Sequence, residues 1–283
     1  MDMKKVITAF TMIIGLMVWF GGCGPSEKTV TLRFKYLGGA QFEYDQSAVR
    51  RWKVTEKDTT VQEVTSNISM KVLQVVRRTL EDSTAEILEQ STWDIVGPNK
   101  EDKSKIDTLH DKREMIVYMT TRGKVIDLEF ISKVDSAERQ YIREYYEQGF
   151  MVFPEAPVRK GSSWTQTANV SLPDTSASAS TKFTVEDFGV EQGYEVTRIA
   201  YDGNLLIPVH ENPSDSLKRS GLDRIHIKGL LNFAHNEGLV VNMNERWEID
   251  GDRRRLKDAV WGEYKILADM DINYELVSPT KDQ

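Results

Sequence analysis

Asp269-Met270-Asp271-Ile272-Asn273-Tyr274-Glu275-Leu276 puts an apolar side chain at every second position and a polar one between. A period of two is that of a β-strand, whose successive side chains point to opposite faces. The same alternation runs through Val30, Leu32, Phe34 and Tyr36 against Thr31, Arg33 and Lys35. After the turn Leu37-Gly38-Gly39-Ala40 it resumes with Phe42 and Tyr44 against Gln41, Glu43 and Asp45. Clean alternation means one packed face and one in water, as in antiparallel sheets covered on one side. Residues 66–80 carry some helical spacing, but their β-branched and bulky content reads as strand.

One stretch has the other period. Asp135 and Glu138 fit a capping box, and Tyr141, Ile142 and Tyr145 form one stripe. Gly149 suits a left-handed stop, and Pro154 and Pro157 forbid continuation. Residues 98–113, 173–180 and 212–223 read as loops, being charged, Ser/Ala-rich or polar with no apolar period. The tail 278–283 reads as disordered.

The chain also resembles itself. Tyr118 stands five residues before Gly123, and Phe233 stands five before Gly238. Lys124-Val125-Ile126-Asp127-Leu128-Glu129 then matches Leu239-Val240-Val241-Asn242-Met243-Asn244 at most positions by class. Both read as β-hairpins with glycine where a positive φ is needed. Gly39-Ala40-Gln41-Phe42 and Gly161-Ser162-Ser163-Trp164 form a second matching pair, and the two separations, 122 and 115 residues, are similar. The fold expected is therefore mainly β: two related, antiparallel, curved-sheet halves, sandwich or half-barrel-like, with one connecting helix. The two sheets would pack on each other or continue into one wrapped sheet, either of which covers the apolar faces.

The N-terminus carries a different signal. Lys4 and Lys5 precede an apolar run over 6–20, which ends in Gly21-Gly22-Cys23-Gly24. Basic start, apolar core and small residues make a secretory signal. The cysteine directly after the small residues resembles the lipobox of bacterial lipoproteins, with Phe20 where Leu is commoner. That resemblance implies a thiol carrying a diacylglyceryl group and cleavage just before Cys23. A transmembrane helix needs about 20 apolar residues, more than this run supplies. An ordinary cleaved signal, with Cys23 a stray thiol, is the other reading. Cys23 is the one cysteine, so disulfides and thiolate metal sites are excluded.

The formal charge of −7 argues against nucleic acid as a partner and against flat docking on anionic lipid. No cofactor, metal site or catalytic residue is expected. His110, His210, His226 and His235 lack metal-ligand spacing, and Gly161-Ser162-Ser163-Trp164 lacks the second glycine and following helix of a nucleophile elbow. Trp52, Trp93, Trp164, Trp247 and Trp261 lie among expected strands. Such aromatics could stack on sugars, but their large apolar area favours the core.

The stretch Phe153-Pro154-Glu155-Ala156-Pro157-Val158-Arg159-Lys160-Gly161-Ser162-Ser163-Trp164 resembles an element recurring in an uncharacterised family of bacterial envelope lipoproteins, a domain of unknown function. There a helix precedes P-x-x-P-V-x-x-G-D-x-W and a strand, and Ser162 stands in the place of the Asp. The hairpin from Phe233 to Met243 is similar to theirs as well. The resemblance implies structure and location, and carries no catalytic residues.

The expected organisation is a signal peptide over 1–22, a lipidated tether over 23–28 and a first β half over 29–134. Helix and linker over 135–153, a second half over 154–277 and the tail follow. The expected function is a non-catalytic binding or scaffolding module on the bacterial envelope, held in the membrane through lipidated Cys23. Gly24 lacks the Asp that resembles an inner-membrane retention signal, which favours the outer membrane. A lipid or other apolar molecule between the sheets is the first ligand class. A protein partner in an envelope complex is the alternative, with hydrolase or glycan binder behind it.

Overall fold

The computed structural model describes residues 28–57, 59–98, 106–149, 151–172, 175–209, 219–257 and 260–280. Cys23, the signal segment, His210 and residues 281–283 lie outside them. Among the described residues, thirteen strands and one helix follow in order. They are β1 (Thr29–Val30), β2 (Gln41–Glu56), β3 (Thr59–Thr79), β4 (Thr84–Pro98), β5 (Ile106–Thr120) and β6 (Val125–Phe130). Helix α1 (Ser136–Gly149) precedes β7 (Val158–Arg159), β8 (Ser163–Leu172), β9 (Thr175–Glu191) and β10 (Tyr194–Val209). The chain ends with β11 (Arg219–Ala234), β12 (Leu239–Lys257) and β13 (Val260–Thr280).

Eleven strands make one antiparallel sheet in the order β6-β5-β4-β3-β2-β13-β12-β11-β10-β9-β8. Of the two arrangements expected, packed sheets or one wrapped sheet, this is the second. β13 pairs with β2 from Lys265↔Thr55 to Thr280↔Gln41, so the end of the chain is zipped to its beginning. The two hairpin series are one continuous wall, and the break falls in mid-chain between β6 and β8.

The sheet is curled but not closed. Flat, eleven strands would span about 48 Å. A helix of 14 residues is about 21 Å long, yet α1 packs against both edges, β6 and β8. The helix therefore does not join two sheets; it fills the seam of one. Ile142 is buried with Ala85, Ile87, Met115, Val117 and Leu128. Arg143 donates to Asp127 Oδ1 (2.6 Å) and to the Leu128 carbonyl (2.7 Å) on β6. Just past the helix, Val152 N–H donates to Gln166 Oε1 of β8 (3.0 Å). Phe153 N–H donates to the Arg122 carbonyl in the β5–β6 turn (2.8 Å).

A floor closes one end. Only Thr29–Val30 of the first alternating stretch is strand, paired with Val158–Arg159. The chain beyond it crosses beneath the sheet, and its amides bond turn carbonyls instead of a ladder. Phe34 N–H donates to Thr121 O (2.7 Å) and Lys35 N–H to Gly238 O (3.1 Å). Arg33 bonds the carbonyls of Pro154 and Glu155, and Tyr36 O accepts from Thr79 Oγ1. Leu32, Phe153 and Phe233 are fully buried there, with the Phe34 ring 5.2 Å from each of the two phenylalanines.

Three expected loops are shorter than the sequence suggested. β5 begins at Ile106, β9 at Thr175 and β11 at Arg219, each inside a stretch read as loop. From Ile106 to Lys112 every residue is exposed, so neither face carries an apolar signal to set a period. β13 likewise runs through 278–280, where pairing with Glu43, Phe42 and Gln41 orders the start of the expected tail.

Candidate functional site

Register assigns each residue to a face. Tyr44, Leu276 and Val72 are cross-strand neighbours, as are Ala48 and Ile272, and all are buried. Helix α1 and the floor segment cover that same face, which is therefore the concave one. The residues between them carry charge. Arg51 pairs with Asp269 and Asp271, Arg246 with Asp271 and Glu248, His226 and Lys228 with Asp202, and Arg224 with Asp252.

A half-open groove of about 760 Å³ crosses the sheet from Glu63 to Asn204, and Arg51, Arg224, Arg246, Glu248, Asp250 and Asp269 help to line it. Its charges are matched within the protein, Lys265 reaching Asp250 as well. The groove runs over this ionic ladder, with Trp52, Leu206, Ile225 and Leu267 lining it between the charges. A membrane barrel presents an apolar band about 25 Å tall on its outside, and a ladder of this kind is the opposite of one.

The concave wall divides into two zones. Near the floor it is sealed: Phe233 is 0 % exposed, Tyr44 4 %, Val72 4 % and Leu276 4 %. Higher up, Trp52, Trp93, Trp164, Tyr201, Met243, Trp247 and Met270 are only half-buried. These tryptophans were expected in the core. They are on the core face, but on a part of it that solvent reaches. Trp261 falls among residues whose side chains are not described.

One row of this wall is aromatic. Trp164, Phe183 and Tyr201 are successive partners on β8, β9 and β10, the first two stacked at 5.3 Å and the next pair at 5.9 Å. The next position is Gly229 on β11. A Cβ there would collide with the Tyr201 ring, so the glycine lets the tyrosine lie across the strand. Tyr201 OH thereby reaches Glu245 Oε1 on β12 (3.1 Å). Trp247 lies beside the same carboxylate; its indole N–H is outside hydrogen-bonding geometry but still favours the charged form. Burial outweighs both neighbours and pushes the Glu245 carboxyl above its usual range.

The same face holds two other carboxylates. Glu89 on β4, 5 % exposed, accepts from Gln74 Nε2 (2.8 Å) and from Tyr146 OH of α1. Burial raises its pKa, against Tyr146, Gln74 and the nearby Arg113 guanidinium. Asp223 takes a two-pronged bond from Arg253, through Nε (2.9 Å) and Nη2. Sequence reasoning passed over all three acids. Alternation shows which residues share a face, but not that a Glu on the apolar face has found a partner.

The histidines are dispersed. His226 bonds Asp202 on the charged face, His110 bonds Asp94, and His235 is buried against Thr197 (3.1 Å). Among the described residues no group of three or more His, Cys, Asp or Glu could hold a metal ion. Ser162 Oγ accepts from Arg159 N–H, a turn bond. The exposed apolar residues Leu37, Val61, Ile106, Ile126 and Val190 are spread over the first turn and four different strands. No helix among the described residues is long and apolar enough to cross a membrane, which says nothing of a β-barrel.

Residues 132–197, from just before α1 to the start of β10, match a family of unknown function (DUF6263). The match includes Phe153–Trp164 but not the hairpin Phe233–Met243. No curated protein matches the chain in sequence. Among solved structures, the chain is similar to the COG4313 outer membrane channel of Pseudomonas putida F1: 9 % identity, covering 90 % of this chain and 99 % of that one, TM-score 0.25. It is also similar to the low-pH structure of OprB from Pseudomonas putida: 6 % identity, covering 83 % and 92 %, TM-score 0.22.

Proposed function

We propose that the protein is a lipoprotein of the bacterial envelope, anchored through Cys23, whose curled sheet binds an apolar molecule against its concave wall without catalysing a reaction. The observation that carries this reading is the half-exposed stretch of that wall. Large apolar residues on a concave surface that the protein's own core leaves uncovered are the usual material of a ligand site. Trp52, Trp93, Trp247 and Met270 are such residues, with Trp164 and Met243 packed at the edge of the floor cluster.

The charged outer face supports a tether rather than immersion. Anchoring then falls to acyl chains on Cys23, each buried CH₂ contributing about 0.8 kcal/mol. Lys28, five residues on, bonds Glu195 at the floor end of the sheet. Five residues reach at most about 18 Å. The floor is thus held close to the membrane, and outer-membrane placement rests on Gly24.

The test is native mass spectrometry of protein purified gently from envelopes. The reading expects a co-purifying apolar molecule of defined mass, released on unfolding. Protein that is bare in every preparation, and stays bare when incubated with dodecanol, would contradict it.

A further inference from the structure

Three carboxylates drawn into the concave face, Glu89, Asp223 and Glu245, differ in one respect. Glu89 has the Arg113 guanidinium near it, besides two hydrogen bonds. Asp223 has Arg253 in a two-pronged ion pair. Glu245 has a tyrosine hydroxyl and a neighbouring indole, and among the described residues no cation acts on it. A carboxylate withdrawn from water without a counter-charge is costly, and proteins generally supply a partner. This one stands instead at the end of an aromatic row, Trp164–Phe183–Tyr201, in which Phe183 is buried in the floor cluster and Trp164 and Tyr201 are half-buried at its edge.

We propose that Glu245, with Tyr201 and Trp247 beside it, is the counter-ion for a positively charged ammonium group carried by the apolar ligand. Aromatic faces attract a desolvated ammonium through their quadrupoles, and the carboxylate completes its neutralisation. Gly229 serves the site by letting the Tyr201 ring lie flat between the row and the acid. On its own strand Arg246 faces the other way, to Asp271 and Glu248, and Arg253 is held by Asp223; on the neighbouring strands Arg224 pairs with Asp252, Lys228 with Asp202 and Lys265 with Asp250. The inference rests on the apolar-ligand reading above and adds the charge of the ligand's head.

Three probes separate the two claims: dodecyltrimethylammonium, dodecanol and tetramethylammonium, each titrated below micelle-forming concentration and followed by tryptophan fluorescence. The expected result is that dodecyltrimethylammonium binds at least tenfold more tightly than dodecanol. Glu245→Gln, which keeps the shape and can still bond Tyr201, should remove that preference and leave dodecanol binding unchanged. Glu248→Gln, on the charged face, should change neither. Binding of tetramethylammonium alone as tightly as the amphiphile would keep the ammonium site and assign it to a free cation. Equal binding of the amphiphile and dodecanol, unaltered by Glu245→Gln, would overturn the inference while leaving the apolar site standing. Failure of all three probes would overturn both. If Glu245→Gln fails to fold, Tyr201→Phe replaces it, with an expected weakening confined to the ammonium probes.

Discussion

Gly123 presses on Phe34 and Gly238 on the residues either side of it, Arg33 and Lys35, although four strands separate their hairpins in the sheet. A Cβ on Gly123 would come within 2.8 Å of the Phe34 ring and 2.6 Å of Met151 O. One on Gly238 would come within 2.7 Å of Arg33 O and closer still to Lys35 N. Both have positive φ, 89° and 72°. The matching glycines of the two hairpins are thus where the wall curls far enough for both ends to grip one strap of chain. Gly238→Ala should lower stability by about 2–4 kcal/mol, combining left-handed strain with overpacking. Gly39→Ala, also at positive φ but with nothing within 4 Å, should cost only about 1–2 kcal/mol. Denaturant midpoints of the two variants provide the comparison.

Tyr146 of α1 donates to Glu89 across the interior, which latches the seam helix to the wall. Tyr146→Phe leaves a buried carboxylate short of a donor and should cost about 1–3 kcal/mol. Hydrogen exchange should rise in α1 and β6 and stay low in β12 and β13. Uniform acceleration across the sheet would contradict the latch.

Glu89 also sets a pH dependence. Its folded pKa lies above the unfolded value, so the folded state binds the extra proton. Its ionisation opposes folding, and stability is lost as pH rises from the ordinary carboxylate range through the folded pKa. Compared with Glu89→Gln, the wild type should therefore gain relative stability as the pH falls from 7 towards about 4.5, the unfolded value. Urea titrations at several pH values measure the difference, and a difference independent of pH would contradict the assignment.

Anchoring by Cys23 predicts a clean fractionation result. A chain exported behind an ordinary cleavable signal and lacking the cysteine should take up no labelled palmitate and leave the membrane fraction. Its charged outer face gives it no other hold. Retention in a carbonate-washed membrane pellet would show that the sheet itself is immersed.

The strand content was readable because residues such as Ile272, Tyr274 and Leu276 alternate cleanly, and the hairpin turns because Gly123 and Gly238 stand where positive φ is needed. The order of the strands in the single sheet was not readable. Pairing of β13 with β2 joins residues more than 200 positions apart, and local alternation is silent about which strand lies beside which. The stretch from Val30 to Tyr36 misled for a related reason. An extended strap with one buried side has the same period as a strand, and what differs is whether its amides meet a ladder or a set of turns. Glu245 was hidden among many acids, since neither its burial nor its lack of a counter-charge leaves a mark in the sequence.

The central claim is that the concave wall is open to an apolar molecule at the level of its tryptophans. Quenching by a dibrominated fatty alcohol tests it directly, because it carries no charge for Glu245 to repel and bromine quenches indole fluorescence only at close range. Saturable quenching should appear at micromolar concentrations and fall sharply in a Trp164→Phe, Trp247→Phe variant. Absence of quenching, or quenching that rises linearly without saturation and ignores both substitutions, would contradict it.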